Sequence, residues 1–300
     1  MTTPMVPSGR YSPDSVAFAI EAYLRSGDFS DLAPGTQRDY GRYLARLDRS
    51  VGDRLLSSID APYIFQIRDK LRETPVAANH TVAVIGSLFR FAISRKMVKT
   101  NPADGITRLK GGVGFLRWMD ADVAAFRKSA MPMMRLALEL GLYTGQRLSD
   151  VIRFAWANYD GDRLHLRQLK TGTPLSIRAH PDLREILDAT PRAGQTILTT
   201  KTGLSFHPRV FSRDFRDARI AAALPDGLSY HGLRHTAAAR LAELGASSPE
   251  IQSITGHRSL NLVEHYIRQA SQEMQADRAI ARLPNRPKLL NGSAKPSATH

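Results

Sequence analysis

Between residue 13 and about residue 98, apolar residues recur at threes and fours and no strand-like alternation competes with them. Asp14 leads into Val16, Phe18, Ile20, Tyr23 and Leu24. Thr36, with Asp39 three residues on, reads as a helix cap ahead of Tyr40, Tyr43, Leu44 and Leu47. Asp60 and Pro62 open a third stretch through Ile64, Ile67 and Leu71. A fourth carries Val82, Ile85, Leu88, Phe89, Ala92 and Ile93. These stretches predict a bundle of short helices over residues 13–98. Residues 99–114 then break the pattern with Asn101-Pro102, Gly105, Gly111-Gly112 and Gly114, and read as a linker. A chain of 300 residues has room for a second domain beyond it, over 115–283.

The second domain mixes patterns. Asp120 is the expected cap of a helix through Phe126. Residues 132–142 form an apolar helix ending at Gly141, and residues 150–156 continue helical. Residues 164–169 and 175–179 flank Thr171-Gly172-Thr173, a β-hairpin signal with Lys170 at its tip. Residues 197–199 add a short strand. Helices follow at 208–222, 232–244, 249–254 and 260–269. Residues 1–12 and the Pro-, Ser-, Lys- and Asn-rich basic tail 284–300 are expected to be disordered. The fold class is mainly α with a small β-hairpin sheet.

The chain has no cysteine, which excludes disulfides, cysteine-ligated zinc and a thiol nucleophile. Its net charge of +14 points to a polyanionic partner, because each phosphate neutralised releases counterions. No uninterrupted apolar stretch reaches bilayer length, no strongly basic helix has a broad apolar face, and the first residues lack a secretory pattern. A cytoplasmic protein with no membrane partner is the expectation. Arg38, Arg42, Arg46, Arg90, Arg95, Lys96 and Lys99 are the candidate contacts to a DNA backbone, although each alone also reads as a solvated charge.

Six residues in the second domain form a constellation suited to a phosphodiester. Arg147 lies in Thr144-Gly145-Gln146-Arg147-Leu148-Ser149-Asp150, and Arg234 in His231-Gly232-Leu233-Arg234-His235. Planar guanidinium matches two phosphate oxygens better than ammonium does. Asp150 is placed to anchor a neighbouring side chain. Lys170, on a mobile hairpin, suits a general acid for a leaving 5′-oxygen. His231 and Arg234, three apart, share one face of a helix start. His257 follows Gly256, as expected of a helix start where it would donate to phosphate. Tyr266, nine residues on, would be the nucleophile once cations or a base activate its phenol. Tyr143, Tyr159 and Tyr230 are rival nucleophiles. A metal site is the rival account of the histidines, but no HExxH spacing or carboxylate cluster supports one.

These boxes, in this order, resemble the tyrosine recombinase family of phage integrases and Xer-type recombinases. The resemblance covers most of the chain, and Asn101-Pro102-Ala103 resembles the end of that family's core-site DNA-binding domain. It implies a helical core-binding domain followed by a mixed α/β catalytic domain. It also implies that Tyr266 forms a 3′-phosphotyrosyl bond while Arg147, Arg234 and His257 stabilise the phosphorane-like state. His231 would assist as general acid and base, and Lys170 would protonate the leaving 5′-hydroxyl. No cofactor or metal is implied. The implied partners are double-stranded DNA with inverted-repeat core sites, a homo-tetramer on that DNA, and accessory DNA-bending or directionality proteins, all in the bacterial nucleoid. The bundle begins near residue 13, leaving no room for the N-terminal arm-site domain of larger phage integrases, so a simpler core-site recombinase or a small prophage integrase is expected. A type IB topoisomerase-like nicking and rejoining enzyme and an inactive DNA-binding relic are the alternatives.

Overall fold

A computed structural model of the chain describes residues 11–111, 115–257, 264 and 272–283. Of the termini expected at 1–12 and 284–300, all but residues 11 and 12 lie outside these residues, as does the expected helix at 260–269 apart from Glu264. The chain divides into two compact units, Met1–Val113 and Gly114–His300.

In the first unit the bundle starts at Ser15 rather than Asp14. The Ser15 hydroxyl accepts from the Phe18 amide at 3.1 Å, satisfying a donor that the first turn leaves open. Helix α1 (Val16–Leu24) leads to the single turn α2 (Gly27–Ser30) and then to α3 (Pro34–Val51). The cap expected at Thr36 lies inside α3. Pro34 carries the φ that a first helical residue needs and lacks only an amide that would have had no partner, so the helix starts earlier. Helix α4 (Ala61–Lys70) opens as expected, with Asp60 accepting from the Tyr63 amide at 2.9 Å.

Helix α5 (Pro75–Ser94) packs against α1, α3 and α4. Its Val84, Ile85, Leu88, Phe89 and Ala92 are at most 1% exposed. Among the described residues it is the one helix whose length and composition would suit a membrane span, yet these side chains fill the core of the bundle.

The second unit is built on a separate core that includes Trp118, Phe126, Leu138, Leu164, Phe211 and Leu233. Helix α6 (Asp120–Ser129) is capped at Met119, whose amide donates to Asp122 at 2.8 Å, so Asp120 is its first residue and not its cap. Helix α7 (Pro132–Thr144) runs past Gly141 and ends at Gly145, whose φ is 59°. Gly141 is a point of close approach instead. A Cβ there would lie 2.8 Å from Leu233 Cδ1 on α11 (Tyr230–Glu243), the helix packed against α7.

Residues 150–156 are not one helix. A single turn, α8 (Leu148–Val151), is followed by a 3-10 turn at Trp156–Asn158. Strands β1 (Arg163–Arg167) and β2 (Pro174–Arg178) pair antiparallel, with Leu164 opposite Ile177 and both buried. In place of the strand expected at 197–199 there are only isolated bridges, Thr199–Ser205 at its end and Ala155–Thr196 just before it. Ile197 donates to the Phe154 carbonyl and Gln195, just before the expected strand, accepts from the Trp156 amide, too few bonds to extend a sheet. Helix α9 (Pro181–Ala189) was not expected. Its apolar face is short: Leu183 and Leu187, one turn apart, are buried, and Ile186 packs beside them half-buried. Helices α10 (Pro208–Ala221), α11 and α12 (Ser248–Thr255) follow, and a helix at Gln272–Ala281 is also described. The chain is mostly helical, with one small antiparallel sheet among the described residues.

Candidate active site

Arg234 stands in the opening turns of α11 and is 3% exposed. Its Nε donates to His257 Nε2 at 3.2 Å, and its Nη1 donates to the carbonyls of Gly145 at 2.8 Å and Thr255 at 2.6 Å. Those carbonyls lie at the C-terminal ends of α7 and α12. Carbonyls at helix C-termini lack partners within the helix and carry partial negative charge, so a guanidinium can be buried there without a carboxylate.

His257 does not open a helix, as the sequence suggested. It lies just beyond the C-terminal cap of α12, where Gly256 has φ of 66°. The Thr255 hydroxyl donates to the Ile251 carbonyl at 2.6 Å, so its 2.8 Å contact with His257 requires the proton on His257 Nδ1. Nε2 is then the acceptor that Arg234 requires. The hydrogen-bond network therefore assigns the neutral Nδ1–H tautomer.

His231 lies in the first turn of α11, which Ser229 caps by accepting from the Gly232 amide. The ring of Phe115 sits 4.3 Å from the His231 ring, tilted by 55°. Burial is the main reason that the His231 pKa falls to about 4, and repulsion from Arg234, Arg147, His235 and Lys170 adds to it. Burial likewise takes His257 to about 3, followed by Arg234 and Arg147. Both imidazoles are neutral at pH 7 in a field that favours an anion.

Arg147 caps α8, and its Nη1 donates to Gln168 Oε1 at 3.1 Å. Asp150, 4% exposed, accepts from the Leu169 amide at 2.8 Å. It therefore fixes the backbone of the hairpin, where a side-chain partner was expected. Lys170 is exposed on the turn between β1 and β2. Arg234 and His257 are in direct contact, and the charges of Arg147 and Lys170 bear on His231. Tyr266 lies outside the described residues. Among these residues no group of three or more His, Asp or Glu side chains could hold a metal.

The rival tyrosines are placed against nucleophilic use. Tyr143 donates to Asp182 at 2.7 Å, and burial with this bond pushes its pKa to about 12. Tyr159 donates to Asp188 at 3.0 Å, and its pKa is also raised, by burial first. The Tyr230 hydroxyl is fully buried, which raises its pKa well above the usual value.

Of the seven basic candidates in the first unit, Arg42 and Arg90 line one cleft together with Asp39, Tyr43, His80 and Arg108. Arg38, Arg46, Arg95, Lys96 and Lys99 are not part of that lining. Arg42 pairs with Asp39 at 3.1 Å and Arg95 with Asp28 at 3.4 Å, both at the surface. Sequence reasoning missed Gln146, Gln168 and Thr255, whose types carry no sign of burial, and Phe115, which sat at the edge of a presumed linker.

Comparison with known proteins bears on the family and the fold. The model of the phage integrase family matches residues 119–273, just over half the chain. The integrase of Escherichia phage HK022 is 27% identical over 252 residues, covering 78% of this chain and 70% of that protein. The integrase of Enterobacteria phage 434 is 30% identical over 200 residues, covering 61% of this chain and 56% of its own length. Lambda integrase (residues 75–356), solved as a dimer bound to a COC′ core site, shares the fold. Its TM-score is 0.75 at 24% identity, over 83% of this chain and 97% of that one. A lambda integrase tetramer bound to a Holliday junction aligns with a TM-score of 0.73 at 24% identity, over 82% and 78% of the two chains. With the family model covering both arginine boxes and both histidines, this chain belongs to the phage integrase family.

Proposed function

We propose that this chain is a site-specific DNA recombinase that cuts and rejoins DNA through a 3′-phosphotyrosyl intermediate. The observation that carries this reading is the buried guanidinium of Arg234, locked beside His257 and sharing a cationic site with Arg147 and His231. Tyr266 attacks the scissile phosphorus, and the bond from phosphorus to the 5′-oxygen breaks. The phenol proton passes to His231, whose neutral imidazole can accept it. The departing 5′-oxygen takes a proton from Lys170. Arg147 and Arg234 offset the charge that grows on the non-bridging oxygens. A bound phosphate opposes the repulsion from the arginines and so raises the proton affinity of His231 at the step that needs it. One phosphoester bond replaces another, so rejoining runs the same steps backward, with a partner strand's 5′-hydroxyl as the attacking group.

On this reading the substrate is double-stranded DNA with inverted-repeat core sites, and the working form is a homo-tetramer on that DNA. The lambda integrase dimer bound to a COC′ core site supports DNA as the substrate, and the tetramer bound to a Holliday junction supports the tetramer. Accessory DNA-bending or directionality proteins belong to the same proposal. The test is to denature cells carrying the active protein, recover DNA covalently bound to it, and sequence that DNA. Adducts at one or a few sequences are expected. Adducts scattered over the genome would instead support a topoisomerase-like enzyme, and no adducts would support an inactive relic.

A further inference from the structure

We propose that Gln168 is a positioning residue whose buried amide joins the Lys170 turn to the Arg147 turn and the Thr255–His257 turn, setting the leaving-group acid and the phosphate-binding groups as one unit. The inference rests on the reading of Lys170 as the general acid.

Gln168 is 1% exposed and stands two residues before Lys170. Its Nε2 donates to Gln146 Oε1 at 2.6 Å and to the Thr255 carbonyl at 2.9 Å. Its Oε1 accepts from Arg147 Nη1 at 3.1 Å and from the Thr171 hydroxyl at 2.7 Å. Two N–H donors and two oxygen lone pairs are all that a primary amide has, and every one is used. Gln146 extends the link, because its own amide donates to the carbonyls of Thr144 at 2.9 Å and Ile254 at 2.6 Å. The ends of α7 and α12 and the base of the hairpin thus meet on two glutamine side chains.

The backbone of Gln168 performs a second task. Its N–H donates to the Thr173 carbonyl at 3.0 Å, and its carbonyl accepts from the Gly172 amide at 2.8 Å, which closes the turn carrying Lys170. Lys170 is therefore flanked by Leu169, tied to Asp150, and Thr171, tied to the Gln168 amide. Gly256 is shaped to the same amide. A Cβ there would lie 2.5 to 2.6 Å from the Gln168 amide atoms, so the residue before His257 must be bare for the amide to seat. A methionine at 168 would fill the space without any of the four bonds. A glutamate would keep the bond to Arg147 but turn acceptors toward Gln146 and the Thr255 carbonyl.

A lysine on an exposed turn has many rotamers, and misplacing a reacting group by about 1 Å can cost on the order of a hundredfold in rate. The test compares two duplexes carrying the recognised site, one with the ordinary scissile phosphate and one with sulfur in place of the bridging 5′-oxygen. A thiolate leaves without a proton, so the sulfur duplex does not need the general acid. Lys170→Ala is the control, Gln168→Met removes the four bonds, and Thr171→Val removes one of the four, along with the bond from the Thr173 hydroxyl, while leaving the buried amide in place.

Gln168→Met is expected to slow cleavage of the oxygen duplex about a hundredfold, and Thr171→Val about tenfold. The sulfur duplex should recover most of the loss in Thr171→Val, as it does for Lys170→Ala, and part of the loss in Gln168→Met, whose remainder reflects the freed Arg147. Rescue of Lys170→Ala without rescue of the other two would overturn the inference and leave Lys170 as the acid. Failure to rescue Lys170→Ala would overturn the role of Lys170 and the inference with it. Should Gln168→Met fail to fold, Thr171→Val decides by the same comparison.

Discussion

The Nε of Arg234 donates to the Nε2 of His257 at 3.2 Å, while Thr255 holds the other ring nitrogen of His257 at 2.8 Å. The bond exists only while His257 is neutral at Nε2. A protonated imidazole would turn a second N–H toward a guanidinium that cannot accept it. The aim of the candidate phosphate-binding arginine thus depends on the protonation of a buried histidine.

Acid should expose this dependence. The pKa of His231 falls to about 4 and that of His257 to about 3, from an ordinary value of 6.5, with burial as the main cause. A depressed pKa means that the unfolded chain binds protons first. The stability that these neutral histidines contribute is present above pH 6.5 and is lost as pH falls through 4 and then 3. Between pH 6.5 and 4.5 unfolding should take up as many as about two protons beyond the native state. Calorimetry of DNA-free protein should show Tm falling over this window, and less so in His257→Asn. Equal slopes in both proteins would contradict the assignment.

Arg234→Lys keeps the charge and loses the fork. A single ammonium cannot serve two carbonyls and His257 and still face a phosphate. Cleavage should fall by about 10²–10³, with DNA affinity nearly kept in filter-binding or gel-shift assays. A loss of about threefold, equivalent to roughly 0.7 kcal/mol, would remove Arg234 from the chemistry.

Gly141→Ala tests the packing of α7 on α11. The new methyl would press on Leu233 Cδ1 at 2.8 Å and Leu233 Cβ at 3.1 Å. Overpacking of this kind costs about 1–3 kcal/mol, to be read as a lower urea midpoint with an unchanged slope. An unchanged midpoint would show that the two helices part easily.

DNA binding should weaken steeply with salt, and Arg42, Arg90 and Arg108 are the residues to test in the first unit. Each alanine variant should lower the slope of log K against log salt by about one. Wild-type slopes in all three would place the phosphate contacts elsewhere.

The helices between residues 13 and 98 were legible because each needs one apolar face, and helical spacing betrays that face. Their starts were less so, since Ser15 and Pro34 competed with Asp14 and Thr36 as equally reasonable openings. The hairpin was legible from Gly172, which takes a φ of 68° at the turn. Gly141 misled because a glycine that ends a helix and one that admits a neighbouring helix look the same in one dimension. The arginine and histidine boxes could be read as short local frames. Gln146 and Gln168 could not, because their meaning comes from burial against residues as much as 108 positions away.

Peptide mapping of the protein–DNA adduct would identify the nucleophile. The adduct would be trapped by denaturation, digested with nuclease and protease, and analysed by mass spectrometry, with Tyr266→Phe as control. A nucleotide joined through its 3′-phosphate to Tyr266 is expected, with no adduct in the variant although it still binds DNA. A nucleotide on Tyr143, Tyr159 or Tyr230, or an adduct that persists in Tyr266→Phe, would contradict it.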